Sequence, residues 1–258
     1  VNSQFCNPRF FMKQQSRLGP TRSLFPNLLF LLATLLSLLL PTASHALPEG
    51  ADVVSGNAQI QQDLDSLTIE NSRNAIINWQ GFSIDAGELT EFRQADAASA
   101  VLNRVTGGNP SEIHGTLQSN GRVLLVNPQG VLVGESGLVD TNGFLASTLD
   151  IANEDFLDGG EALFSGNSTA QVRNLGTIRT GQGDIFLIAR QVKNEGEVQA
   201  ASGTAGLYAG QEVLLTEGPG KRGFVKVART EGEPLETGVD NSGTVEAVQA
   251  ELEAAGGN

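Results

Sequence analysis

The sequence of 258 residues has little of the chemistry that catalytic and metal centres are usually built from. It contains one Cys, two His, one Met, one Trp and one Tyr, and aromatic residues make up 5% of it. The one cysteine, Cys6, lies near the amino terminus, so the body of the chain has no disulfide and no zinc–thiolate centre to hold it together. Beyond His45 the only imidazole is His114, and a Ser-His-Asp relay or a multi-histidine metal site would have to be built on that ring alone. No metal and no cofactor are expected. Cations are scarce as well. Sixteen Lys and Arg against 29 Asp and Glu give a formal charge of −13, with a pI near 4.5. A nucleic-acid surface needs the opposite surplus, so no nucleic-acid partner is expected, and anionic substrates are disfavoured.

What is present divides at residue 46. Arg9, Lys13, Arg17 and Arg22 precede an apolar run from Leu28 to Leu40, and the small-residue stretch Ala43, Ser44, His45, Ala46 follows it. At about 1.5 Å per residue this run reaches roughly 20 Å as a helix, short of the roughly 30 Å of a bilayer core. It reads as a secretory signal peptide over residues 1–46, cleaved after Ala46, and not as a stable membrane anchor. Export through the periplasm to the cell surface or medium is the expected localisation.

From Leu47 onward, short alternating or apolar runs are punctuated by Gly, Asn, Asp and Ser, and the chain reads as all-β. Candidate strands are Leu67 to Glu70, Ala75 to Trp79, Arg122 to Val126, Gly130 to Val133, Asp184 to Ala189 and Gly223 to Val227. Helical turns are expected at most in Ala95 to Val105 and Asn153 to Leu157. The second half repeats the pattern V-x-N-x-G-x-[IV] at Val172/Asn174/Gly176, Val192/Asn194/Gly196 and Val239/Asn241/Gly243. The first two copies predict coils of about 20 residues, and the wider gap before the third is expected to hold about two more coils and a loop near Glu217 to Arg222. Such a period predicts a parallel β-helix, with each coil stacked about 4.8 Å above the last, in preference to a β-sandwich. Asn174, Asn194 and Asn241 should then share one corner, in a left-handed backbone with their amides bonded coil to coil, and Gly176, Gly196 and Gly243 should fill the tight position beside them. Trp79, Phe82 and Phe92 are expected to seal the amino-terminal end.

Five blocks in fixed order carry a resemblance: IINWQGFSI (Ile76 to Ile84), SAVLNRVTGG (Ser99 to Gly108), SEIHGTL (Ser111 to Leu117), GRVLLVNPQGVLVG (Gly121 to Gly134) and TNGFLASTLDI (Thr141 to Ile151). Together they resemble the amino-terminal secretion domain of the filamentous haemagglutinin family, in the branch of high-molecular-weight non-pilus adhesins. The resemblance implies a right-handed parallel β-helix with an amino-terminal cap and small hairpin insertions. It also implies that the domain leads an adhesin-like exoprotein out of the cell by two-partner secretion. The implied partner is an outer-membrane β-barrel transporter with periplasmic receptor domains, which the chain crosses extended before folding outside. Asn127, Pro128 and Gly130 match the family's NPNG turn, with Gln129 in place of its second Asn, and the family's NPNL motif is absent. Residues 47–165 are expected to form the cap and first rungs carrying the secretion motifs, and residues 166–258 the repeats, continuing in a longer protein.

The turn has a physical purpose apart from the resemblance. Pro128 fixes its φ and Gly130 tolerates a positive one, so the chain can reverse between two strands while the Asn127 side chain bonds the turn amides. The expected role of Asn127 is therefore structural. A β-helix that itself binds a host or neighbouring-cell surface or a carbohydrate is the alternative function, and a polysaccharide-cleaving β-helix enzyme is the more remote one, since no catalytic constellation can be assigned. No obligate oligomer is predicted. GPGKRG (Gly218 to Gly223) matches a dinucleotide-binding pattern but precedes a strand-like run, so it reads as a hairpin tip. Asn167 begins a glycosylation sequon, and Asp184 reads as a turn carboxylate.

Overall fold

The computed structural model describes residues 46–216 and 238–254. Strands dominate because the segments are rich in small or branched apolar residues, and many of them alternate with polar ones. The segment Gln171–Asn174 is exposed, buried, half-buried, buried, and Thr177–Thr180 repeats that rhythm. Alternation buries one side of such a strand, and parallel stacking gives the buried side a continuous partner.

The strands fall on three faces. The first stacks Ser66–Asn71, Leu89–Gln94, Thr116–Ser119, Leu138–Thr141, Thr177–Thr180 and the opening residues of Glu197–Ala209, all parallel. The second stacks Ala75–Trp79, Ala100–Val105, Arg122–Val126, Gly143–Ser147, Ile185–Ala189 and the later half of Glu197–Ala209. The third carries Ser111–Ile113, Val131–Val133, Gln171–Asn174, Gln191–Asn194 and Gly238–Asn241. The chain visits the faces in that order and climbs one coil per circuit, so the structure is a parallel β-helix. Thr244–Ala254 adds a further strand over the first two faces.

The interior is one apolar cluster running from Leu47 to Leu207. Trp79, Phe82 and Phe92 lie inside its first coils, with Trp79 edge-on to Phe82 at 5.7 Å and Phe82 stacked on Phe92 at 6.4 Å. The Trp79 indole N–H, which would otherwise be stranded, donates to the buried Asn103 at 2.9 Å. Below them two antiparallel strands, Asp52–Ser55 on the second face and Ala58–Gln62 on the first, cover the starting coil.

A second apolar cluster covers the outer side of the second face. Ile76, Leu102, Val126, Ile188 and Tyr208 are buried there beneath Ile151, Phe156, Phe164 and Val213. The cover consists of the helix Asn153–Asp158 and an antiparallel sheet of Asp150–Ile151, Ala162–Ser165 and Glu212–Leu215. Arg104 ties it down, donating to Asp150 at 2.8 Å, to the Ile151 carbonyl at 2.8 Å and to Asn153 at 3.1 Å.

The helical turn expected at Asn153 to Leu157 is present, whereas the one expected in Ala95 to Val105 is not: Ala100–Val105 is a second-face strand. Ala100, Leu102 and Val101 bury both sides of that strand, which gives the continuous apolar run that looks helical in isolation. The interval before the third repeat copy holds one coil, not two. Asn194 and Asn241 pair directly although 47 residues apart, and the extra length leaves the coil through Glu212–Leu215. Gly218 to Gly223 and Gly223 to Val227 lie outside the described residues.

Candidate functional site: the buried turn and the asparagine corner

The turn Asn127–Gly130 connects the second face to the third, between Arg122–Val126 and Val131–Val133. Asn127 is fully buried. Its Nδ2 donates to the Asn109 carbonyl at 3.0 Å and to Ser111 Oγ at 2.9 Å, one coil below, and its Oδ1 accepts from the Gln129 amide at 2.9 Å. Its own amide donates upward to the Ser147 carbonyl at 2.9 Å. One side chain thus closes its own turn and joins neighbouring coils. Gly130 has φ +119° and donates to the Asn127 carbonyl at 3.0 Å. A residue with a Cβ would be strained there.

Pro128 and Gln129 are exposed. The Pro128 carbonyl accepts from Ser168 Oγ at 2.6 Å, which fastens the returning chain of the next coil over the turn. Gln129 borders an open concavity of about 460 Å³ that also involves Pro110, Leu132, Ala170 and Arg173. Sequence reasoning missed Ser111 and Ser168. Ser111 opens the SEIHGTL block and alternates in phase with the apolar Ile113, which marks it as inward-facing, while nothing local marks Ser168.

Asn174, Asn194 and Asn241 stand in register on the third face. Asn174 Nδ2 donates to Asn194 Oδ1 at 2.8 Å, and Asn194 Nδ2 donates to Asn241 Oδ1 at 2.7 Å. Each donor also reaches a carbonyl of the following strand, Glu197 at 3.2 Å and Thr244 at 3.3 Å. The backbone differs from expectation: Asn74 is the one described non-glycine residue with positive φ, so these three corners are not left-handed. Their side chains point inward from extended strands and bond the turn, as Asn174 Oδ1 does to the Gly176 amide at 3.2 Å.

Gly176, Gly196 and Gly243 occupy the adjacent position, where the backbones of neighbouring coils meet. A Cβ on Gly196 would lie 2.2 Å from the Gly176 carbonyl oxygen, and one on Gly243 would lie 2.1 Å from that of Gly196. Beside the corner, Glu195 accepts from Arg173 at 2.6 Å and faces Lys193 at 3.3 Å. The Arg173 hydrogen bond chiefly holds the Glu195 carboxyl below its ordinary range. Tyr208, on the second face, donates to Glu251 at 2.6 Å, and burial first, then that carboxylate, pushes its phenol far up. Ala46, the residue of the expected cleavage, is half-buried where the described chain begins.

The fold and the turn define a class: a capped, right-handed parallel β-helix with an NPQG turn locked into its third coil. Residues 44–255 match the TPS secretion domain, and the chain belongs to that family. The HMW1 secretion domain of Haemophilus influenzae is similar in structure, with TM-score 0.68 and 33% identity over 79% of this chain and 57% of that one. The filamentous hemagglutinin secretion domain shares the fold at TM-score 0.56 and 15% identity, over 80% and 77%. Among curated proteins, a heme/hemopexin-binding protein of Haemophilus influenzae is 32% identical over 84% of this chain. A hemolysin of Serratia marcescens is 30% identical over 50% of it. The chain spans 24% of the former's length, and the match covers 8% of the latter's.

Proposed function

We propose that this domain addresses a larger adhesin-like exoprotein to an outer-membrane β-barrel transporter, whose periplasmic receptor domains bind it before the chain crosses extended and stacks into coils outside. Membership of the TPS secretion-domain family is the observation that carries this reading. Residues 1–46 act as the leader, removed after Ala46. Residues 47–165, with the cap and the locked turn, carry targeting, and residues 166–258 carry the repeating stack. The domain works by recognition and assembly, without a catalytic step.

Two physical features support the reading. No cysteine follows Cys6, so no periplasmic disulfide can close a loop that must pass a pore. Each stacked coil buries a row of apolar side chains, so a chain folding outside resists sliding back. Asn127 serves the turn itself, because its side-chain atoms are committed inside the coil, and only Pro128 and Gln129 are presented outward. The heme/hemopexin binding named for one relative belongs to that protein, most of which lies beyond the shared segment.

The test is export of a reporter joined after residue 258, in cells with the cognate barrel, without it, or with a barrel lacking its receptor domains. Export only in the first case is expected. Equal export without the barrel would overturn the proposal, and saturable binding of the purified domain to cells or glycans would favour the adhesive alternative.

A further inference from the structure

The corner between the first and second faces carries the same pair of residues in two successive coils, Asn120–Gly121 and Asn142–Gly143. Asn120 is exposed, yet its side chain is tied to the coil before it. Its Oδ1 accepts from the Gln94 amide at 2.8 Å, and its Nδ2 donates to the Gln94 carbonyl at 2.8 Å. Gly121 is buried, and its amide donates to Ser119 Oγ at 3.0 Å. A Cβ there would lie 2.6 Å from the Gln94 side chain and 2.9 Å from the Ser99 carbonyl oxygen. Stacking therefore calls for a carboxamide at 120 and no side chain at 121. In an unstacked chain the same pair is chemically labile, because glycine leaves its backbone nitrogen uncrowded beside the Asn side chain.

We propose that Asn120 is a self-modification site, open in the extended chain and closed by coil stacking. In the open form the Gly121 nitrogen gives up its proton to solvent base and attacks Asn120 Cγ. The Cγ–Nδ2 bond breaks, ammonia departs, and a five-membered succinimide remains. Water then opens the ring at either carbonyl and leaves aspartate or isoaspartate. The net change is one water in and one ammonia out, with no oxidation or reduction. The stacked coil blocks the first step in two ways. It pins Cγ against Gln94, and it directs the Gly121 amide proton at Ser119.

The products no longer suit the corner. A carboxylate accepts and does not donate, so an acid at 120 keeps the Gln94 amide but faces the Gln94 carbonyl without a proton. Isoaspartate adds a methylene to the main chain beside Gly121, whose carbonyl accepts from the Asn142 amide at 2.9 Å. On the export reading above, a chain delayed in extended form is marked and stacks less well, while a stacked chain is protected. The site itself stands on the geometry alone, and the reporter experiment above decides the export reading separately.

The test compares the purified chain, folded and unfolded in guanidinium chloride, at the same mildly alkaline pH. Peptide mass spectrometry with chromatographic separation counts asparagine, aspartate and isoaspartate at position 120. Conversion is expected at least about tenfold faster in the unfolded chain, the two side-chain bonds to Gln94 being the barrier that folding adds. Gly121→Ala should slow it in guanidinium chloride, where the variant's ability to fold does not matter. Equal rates in the folded and unfolded chain, or no conversion in guanidinium chloride, would overturn the proposal. Converted and unconverted chains are then returned to buffer and unfolded in urea. A folding equilibrium constant about tenfold lower for the converted chain is expected, and equal stability would refute the misfit of the products.

Discussion

Replacing Asn194 by Ala probes the stacked corner at its centre. Asn194 is fully buried, and the change removes its acceptor from Asn174 and its donors to Asn241 and to the Thr244 carbonyl. At about 1 kcal/mol for each of the two short bonds, plus a smaller amount for the long one, the loss is about 2–3 kcal/mol. It does not climb much higher, because Asn174 keeps its contacts to the Glu197 carbonyl and the Gly176 amide, and Asn241 is open to water. Asn241→Ala removes one bond from the exposed end of the row and should cost about 1 kcal/mol. The pair should be non-additive, since both changes delete the Asn194–Asn241 bond. Urea unfolding followed by Trp79 fluorescence and by far-ultraviolet circular dichroism measures this, with coincident transitions needed for the comparison. Equal losses at the two sites, or a loss at Asn194 below about 0.5 kcal/mol, would refute a cooperative amide row.

Three further outcomes are expected. Gly196→Ala should destabilise by about 1–3 kcal/mol because its Cβ meets backbone it cannot displace, whereas Gly160→Ala, with nothing within 4 Å, should be neutral or slightly stabilising in the same unfolding assay. Asn127→Ala should cost about 2–4 kcal/mol through the loss of its bonds to Asn109, Ser111 and Gln129, while Gln129→Ala should stay within about 0.5 kcal/mol by thermal unfolding. The raised Tyr208 pKa favours the folded state fully below the ordinary phenol value near 10, and that contribution declines as pH rises beyond it. Alkaline unfolding should therefore lose part of its pH dependence in Tyr208→Phe.

The corner was legible in the sequence because a stacked turn makes the same demand in each coil: Val inward, Asn closing the turn, Gly where backbones touch. In the earlier coils Ile113 and Val133 occupy the column that Asn174 continues, so the geometry persists without its signature. The distance between repeat copies misled for a related reason. Stacking fixes register, not contour length, and a coil can leave the solenoid and return, as the chain does between Asn194 and Asn241. The cover over the second face was illegible because its strands pair across long separations, Ala162–Ser165 with Glu212–Leu215, and its short strands resemble coil strands. Ser111 accepts from the Asn127 side chain and Ser168 donates to the Pro128 carbonyl, both partners remote in sequence, and spacing alone carries no trace of such contacts.

The central claim is that the protein crosses the outer membrane as an extended chain. Asp140 and Arg179 are register partners on adjacent coils of the first face and form an exposed ion pair at 2.7 Å, so a cysteine at each position can bridge two coils. With the cognate barrel present, secretion of Asp140→Cys/Arg179→Cys is compared under oxidising and reducing periplasmic conditions, with each single variant as control. The expected result is retention of the oxidised double variant in the periplasm, with release restored by reduction and unimpaired in both single variants. Secretion of the bridged form at the rate of the reduced form would contradict passage as an extended chain.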